Sequence, residues 1–220
     1  MGISERRVRE KEERRKAILN CTKELIQAKG VEHVSMEDIA VKSELSKATV
    51  YLYFSSKEEL LNEICDEAAK MFHEYLKSFN EAGVKGMAAI KFLWRGYVEL
   101  FGSSNEMIIV FQVRNYMNSW LSVISTEGEG HSKYTEEILL AIKVLIDECK
   151  AEGVFAPDLD TGIATKLLLS LFSMIVEQSS KLPPDMRKLP AVIEEMTNTF
   201  QIVIRGFARE GIEHSFLNIR

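Results

Sequence analysis

Apolar residues recur at three- and four-residue steps along most of the chain, which is the period of amphipathic α-helices. In the first such segment, residues 5–29, Ile18, Cys21 and Leu25 share one face, and Gly30 follows as a helix end. The same pattern, read with capping residues and Gly or Pro stops, predicts further helices over 35–42, 46–54, 57–79, 87–102, 105–122, 134–151, 160–180 and 191–209. The sequence therefore predicts an all-α fold of about nine helices, with a non-periodic loop at 125–132.

Residues 35–54 have the pattern of a helix-turn-helix, in which two short helices are joined by a tight turn. Ile39 and Ala40 of the first helix can meet Val50 and Phe54 of the second, which lie four residues apart on one face. The opposite side of the second helix carries Ala48, Thr49 and Leu52, with Tyr51 and Tyr53 on its flanks.

The outward side chains of this second helix suit a DNA groove. Ala48 allows close approach, Leu52 can touch a thymine methyl group, and Lys47 and Lys57 can pair with phosphates. The Tyr and Thr hydroxyls can donate to phosphate oxygens, and the helix that begins at Ser46 adds backbone donors. The alternative is an ordinary core helix, which the Tyr-Leu-Tyr-Phe run alone would fit equally well.

Residues 18–57 resemble the TetR family of bacterial transcriptional regulators. The matching pieces are Gly30-Val31, Ser35-Met36-Glu37-Asp38-Ile39-Ala40, Ser46-Lys47-Ala48-Thr49-Val50-Tyr51-Leu52-Tyr53-Phe54 and Lys57-Glu58-Glu59-Leu60. By this resemblance Lys47, Thr49, Tyr51, Tyr53 and Lys57 fall where family members contact DNA. With their neighbours they make the predicted DNA-binding set, which is Ser46, Lys47, Ala48, Thr49, Tyr51, Leu52, Tyr53 and Lys57.

The chain departs from the family's pattern in the turn before the second helix. The family often has Ala-Gly-Val there, whereas this chain has Ser43-Glu44-Leu45. Glu44 is unfavourable if the turn requires a positive φ, and it adds a negative charge near the expected DNA. Ala48 also stands where Gly is common.

The resemblance implies two domains, an N-terminal DNA-binding domain at 1–56 and a helical ligand-binding and dimerisation domain at 57–220. Independently, residues 167–176 are apolar nearly all round, and the last helix is apolar on more than one side. This pattern favours a bundle shared between two subunits, with the interface predicted at Leu168, Phe172, Ile175, Phe200, Ile204 and Phe207. The alternative is a core within one subunit.

The middle helices are rich in Met and aromatic residues, which suit an apolar and adaptable ligand pocket. The predicted pocket residues are Trp94, Tyr97, Phe101, Phe111, Arg114 and Met117. Each aromatic residue taken singly fits an ordinary core better than a pocket. Arg114 could meet a ligand carboxylate or phosphate, or pair with an acid of the protein.

Charge changes this picture mainly at the N-terminus. The formal net charge is −5, which argues against indiscriminate binding to nucleic acid. Residues 1–16 nevertheless carry seven basic residues against four acidic ones. Such a segment either attracts phosphates or forms Glu–Arg pairs along a solvated helix, and the sequence does not separate these two interpretations.

Enzymatic and metal-binding functions find no support in the sequence. The four histidines are scattered, and the three cysteines lie far apart in an odd number. We therefore expect reduced thiols, no metal site and no cofactor. The chain lacks an apolar run of signal-peptide or membrane-spanning length, which predicts a cytoplasmic protein without membrane contacts.

Together these features predict a homodimeric TetR-like regulator of transcription, a repressor that binds double-stranded operator DNA and is released by a small-molecule effector. The alternatives are a constitutive DNA-binding dimer without ligand control and a helical protein-interaction module.

Overall fold

The computed structural model describes residues 3–103, 106–117, 133–180 and 189–219. Within those ranges the chain forms nine α-helices, which confirms the predicted all-α fold. They are α1 (Ile3–Lys29), α2 (Met36–Lys42), α3 (Lys47–Tyr53), α4 (Lys57–Glu81), α5 (Gly86–Ser103), α6 (Glu106–Tyr116), α7 (Lys133–Ala151), α8 (Thr161–Ser180) and α9 (Leu189–Phe207), with a 3₁₀ turn at Val31–His33. The predicted loop at 125–132 lies outside the described residues.

Short polar caps begin the helices of the N-terminal region where the sequence predicts them. The Ser35 hydroxyl oxygen accepts from the backbone N–H of Asp38, and the Asp38 carboxylate accepts in return from the backbone N–H of Ser35 at 2.8 Å. This reciprocal pair is a capping box at the start of α2. The Ser35 hydroxyl also donates to Asp38, and this hydrogen bond, with that from Lys29, lowers the pKa of Asp38.

Two clusters of buried apolar side chains hold the helices together. The N-terminal core combines residues of α1, α2, α3 and the first part of α4 with Ile109, Val110 and Val113 of α6. The C-terminal core combines residues from the rest of α4 with α5, α7, α8 and α9. Since α4 enters both cores, it connects the two regions physically. The predicted domain boundary between residues 56 and 57 stays a prediction.

Most of the predicted interface side chains that the structure describes belong to the C-terminal core of a single chain. Leu168, Phe200 and Ile204 are at most 1% exposed, and Phe207 is 6% exposed. The side chains of Phe172 and Ile175 lie outside the described residues.

The predicted pocket residues do not gather at one place among the described side chains. Trp94 is buried in the C-terminal core, where its ring stacks on Phe200 with 5.0 Å between centroids. Met117 packs instead against the N-terminal core. Arg114 on α6 acts on Cys65 of α4, a member of the N-terminal core. Burial raises the pKa of the Cys65 thiol to about 11, and the positive charge of Arg114 opposes this rise. The side chains of the three remaining members, Tyr97, Phe101 and Phe111, lie outside the described residues.

None of the helices within the described ranges combines the length and the apolar character needed to cross a membrane.

Candidate nucleic-acid interface

Helix α3 is anchored by its inner face and presents its outer face to solvent. Val50 and Phe54 are fully buried, as predicted from their four-residue spacing. On the other side, Leu52 is 80% exposed and Tyr51 is 45% exposed. The outer face of α3 therefore offers an apolar and an aromatic side chain next to each other, which is contact area available to a partner.

The start of α3 is capped by the residue that the sequence predicts. The backbone N–H of Thr49 donates to the Ser46 hydroxyl at 3.0 Å. The two side-chain hydroxyls also lie 2.7 Å apart, so they form a hydrogen bond with each other. This cap satisfies one of the backbone donors at the helix start and fixes its direction.

The predicted DNA-binding set lies on α3, at its N-cap and at the start of α4. Five of its members are exposed, namely Ser46, Lys47, Ala48, Tyr51 and Leu52, and the other three, Thr49, Tyr53 and Lys57, are half-buried. The Lys47 ammonium lies 3.1 Å from the Glu37 carboxylate on α2. Both of these side chains are exposed, so the pair is weak and Lys47 can turn to a phosphate at little cost.

Lys57 differs from Lys47 because it contacts the protein itself. Its ammonium donates to the Val31 carbonyl at 2.7 Å and lies 4.5 Å from the centroid of the Tyr116 ring. It therefore joins the start of α4 to the 3₁₀ turn and to the end of α6. From the sequence alone, Lys57 is predicted only as a phosphate contact. Its two partners in the structure, Val31 and Tyr116, lie 26 and 59 positions away along the chain, so no local pattern indicates them.

The turn before α3 places a glutamate in the conformation that favours glycine. The backbone N–H groups of Glu44 and Leu45 donate to the carbonyls of Val41 and Ala40, at 3.2 and 2.9 Å, which is the Schellman pattern of a helix end. Glu44 has φ 56°. The turn does require a positive φ, and the chain adopts it without glycine.

We expect Glu44→Gly to stabilise the protein by about 1 kcal/mol, because it removes the unfavourable contact of a Cβ in the left-handed region. Part of this gain is offset by the greater freedom of glycine in the unfolded chain. Urea unfolding followed by circular dichroism measures the difference. Glu44→Gln is the matched control, since it removes the charge but retains the side chain. Equal stabilisation by both variants would assign the effect to charge and contradict the conformational explanation.

Arg15 of α1 holds the far end of α3. Its guanidinium donates to the Tyr53 carbonyl at 2.5 Å and to the Glu63 carboxylate of α4, with an Nε–Oε1 distance of 2.7 Å. Its Cζ lies 4.1 Å from the centroid of the Phe54 ring. The hydrogen bond to Glu63 raises the pKa of Arg15. One side chain thus joins α1, the last turn of α3 and α4.

This arrangement defines a helix-turn-helix module, with an exposed second helix fixed at both ends. Residues 18–64 match the family model for "Bacterial regulatory proteins, tetR family". Over 56 residues the chain is 39% identical to the uncharacterized HTH-type transcriptional regulator YfiR of Bacillus subtilis (strain 168), a match that covers 26% of this chain and 27% of that protein. The aligned segment therefore spans about a quarter of this curated relative.

Solved structures extend the likeness of fold to nearly the whole chain. A TetR-family transcriptional regulator from Pectobacterium atrosepticum aligns with TM-score 0.64 at 18% identity, covering 91% of this chain and 97% of that one. The fatty acid degradation regulator FadR from Bacillus halodurans aligns with TM-score 0.64 at 18% identity, over 89% and 97%. Thermus thermophilus FadR, solved in complex with lauroyl-CoA, aligns with TM-score 0.57 at 14% identity, over 90% and 97%.

Residues 18–64 therefore match the TetR family of bacterial transcriptional regulators in sequence, and the fold of nearly the whole chain is similar to that of TetR-family structures.

Proposed function

We propose that this protein is a homodimeric repressor that binds operator DNA through α3 and releases it when a small molecule binds the C-terminal region. The observation that carries the proposal is the exposed outer face of α3, held in place by the buried Val50 and Phe54. In a helix-turn-helix protein the second helix enters the major groove, and a dimer presents two such helices about 34–36 Å apart.

The dimer part of the proposal rests on exposed apolar side chains of α8 and α9. Ile163 is 67% exposed and Leu167 is 40% exposed, and their four-residue spacing places them on one face of α8. Ile202 of α9 is 68% exposed. Since Leu168, Phe200, Ile204 and Phe207 serve the core of one chain, we assign the interface to Ile163, Leu167 and Ile202 instead.

The effector part of the proposal rests on a solved protein of the same fold that contains a ligand. Thermus thermophilus FadR, which shares this fold, was solved with lauroyl-CoA. We infer a mostly apolar effector for this chain as well. Because coupling between two sites is reciprocal, effector and operator would weaken each other's binding by the same factor. A regulator without ligand control would instead bind DNA equally with and without every compound tested.

Tyr51 gives the direct test of DNA binding by α3. We expect Tyr51→Ala to weaken binding to a duplex selected by the wild-type protein from a random library by about tenfold, since it removes a hydroxyl donor and ring contact area. Tyr51→Phe, which removes only the hydroxyl, should weaken binding by a smaller factor. Fluorescence anisotropy at physiological salt measures both.

Leu140→Ala provides the control for Tyr51, because Leu140 is 63% exposed on α7 and lies outside the predicted DNA-binding set. Unchanged affinity in Tyr51→Ala would remove Tyr51 from the interface. Failure of the wild-type protein to enrich any duplex would contradict DNA binding itself and favour a protein-interaction module.

A further inference from the structure

The first half of α1 projects beyond the N-terminal core as a charged helical arm. Residues 5–14 are all exposed, whereas Ile18 and Leu19 are buried. Ten helical residues extend about 15 Å. Because these ten residues bury little apolar surface, the arrangement of their charges decides what the arm can contact.

The cations of the arm fall into two groups. Arg6 pairs with Glu10 at 2.7 Å, and Arg9 pairs with Glu13 at 3.2 Å. Arg7, Lys11 and Arg14 have no ion pair or hydrogen bond to another side chain in the part of the chain that the structure describes. We call these three residues the cationic strip.

The members of the cationic strip share one side of the helix. Arg7, Lys11 and Arg14 are spaced by four and three residues, so they lie within about 60° of one another around the helix axis. At this spacing three positive charges lie along one line, one helical turn apart. Such a line suits a row of negative charges better than a single anion.

The direction of the cationic strip follows from the contacts of the residues on either side of it. Arg15, about 80° to one side of Arg7, reaches the Tyr53 carbonyl at the end of α3. Ala17, about 80° to the other side, lines a groove with Glu44 and Leu45 of the turn that precedes α3. The strip lies between these directions and therefore faces the side of α1 on which α3 lies.

We propose that the cationic strip binds phosphates of the duplex next to the segment read by α3, which lengthens the DNA contact without adding base recognition. This inference rests on the proposed DNA binding. Each neutralised phosphate releases counterions, so phosphate contacts contribute a salt-dependent affinity that is independent of sequence. The paired cations Arg6 and Arg9, on another side of the arm, do not take part.

Two triple variants with the same change in net charge test the proposal. The first is Arg7→Gln, Lys11→Gln and Arg14→Gln; the second is Arg6→Gln, Arg9→Gln and Lys16→Gln. Lys16 is exposed and lies on the side of α1 opposite to Arg7. All six positions are exposed and glutamine is a good helix former, so both variants should fold, which circular dichroism checks. Affinities are measured over a salt series with the selected duplex and with a scrambled duplex of equal length.

We expect the strip variant to lose about tenfold in affinity at physiological salt for both duplexes. Its slope of log K against log salt should become shallower by about 2.7 per bound protomer, at about 0.9 for each phosphate. The second triple should keep the wild-type slope. Equal losses in the two triples would show a general charge effect and overturn the strip, as would unchanged binding in the first triple.

The same data separate this inference from the proposed function. If the wild-type protein binds both duplexes equally and the strip variant loses affinity for both, the strip stands and sequence-specific regulation fails. If the wild-type protein binds neither duplex, both proposals fail.

Discussion

Replacing Arg15 by alanine should lower the free energy of unfolding by about 2–3 kcal/mol and weaken specific DNA binding more than tenfold. The substitution leaves the Glu63 carboxylate without its cation, although that side chain is only 30% exposed. It also removes the donor to the Tyr53 carbonyl, one of the carbonyls at a helix end that has no partner within the helix. The stacking contact with Phe54 is lost as well.

Arg9→Ala is the matched control for Arg15→Ala. Arg9 also pairs with a glutamate and is removed from the same helix, but both side chains of that pair are more than 60% exposed. Exposed pairs of this kind contribute about 0–0.5 kcal/mol. Urea unfolding should therefore separate the two variants clearly. Equal stability of Arg15→Ala and wild type would show that the contacts of Arg15 contribute nothing to the fold.

Glu63→Gln distinguishes a positioning role of Arg15 from a direct phosphate contact. This change removes a negative charge and releases Arg15, so a phosphate contact predicts tighter DNA binding and a steeper salt dependence. A positioning role predicts weaker binding to the selected duplex, because the end of α3 is no longer held, with little change for a scrambled duplex. Anisotropy with both duplexes at a temperature where each variant is folded reads out the difference.

The local structure of the N-terminal region could be predicted well from the sequence. Capping residues act within three or four positions, so Ser35 and Ser46 indicate where α2 and α3 begin. The inward pair Val50 and Phe54 follows from helical periodicity alone. Even the unusual positive φ of Glu44 was foreseeable, because the turn resembles one in which glycine is common.

Contacts between distant residues could not be predicted in the same way. Arg15 is one of seven cations in residues 1–16, and no local feature of the sequence distinguishes it from Arg14. In the structure, Arg15 is the one of these seven cations that reaches Glu63, which lies 48 positions further along the chain. Its position one helical turn before the buried Leu19 is a weak signal that it lies at the edge of the core. Lys57 presents the same difficulty, since its backbone partner Val31 was not indicated by any motif.

Periodicity also could not separate the core of one subunit from an interface between two. Helix α8 is apolar on several sides, and the adjacent residues Leu167 and Leu168 are chemically identical. The structure leaves Leu167 40% exposed and buries Leu168 to 1%. Only the packing of α8 against other helices of the same chain creates this difference, and a two-sided apolar pattern does not reveal which side that is.

This difference makes Leu167 the informative position for testing the dimer. If the proposed dimer forms through this face, Leu167→Asp should convert it to monomers and weaken binding to the selected duplex by more than about 100-fold. In a two-fold interface each substitution occurs twice, so two unpaired carboxylates would be buried in the proposed interface at a cost of several kcal/mol. A monomer contacts one half-site only and loses the gain from simultaneous binding of two.

The monomer itself should remain folded, because Leu167 is already partly in contact with water in a single chain. Leu168→Asp would not serve, since a carboxylate there would unfold the C-terminal core and abolish dimerisation for an unrelated reason.

Leu140→Asp introduces the same charge at an exposed leucine of α7, outside the proposed interface, and should keep both dimerisation and affinity. Sedimentation velocity gives the oligomeric state and anisotropy gives the affinity. A Leu167→Asp protein that sediments as a dimer would exclude this face as the interface, whereas a monomer with wild-type affinity would show that a single α3 suffices for operator binding.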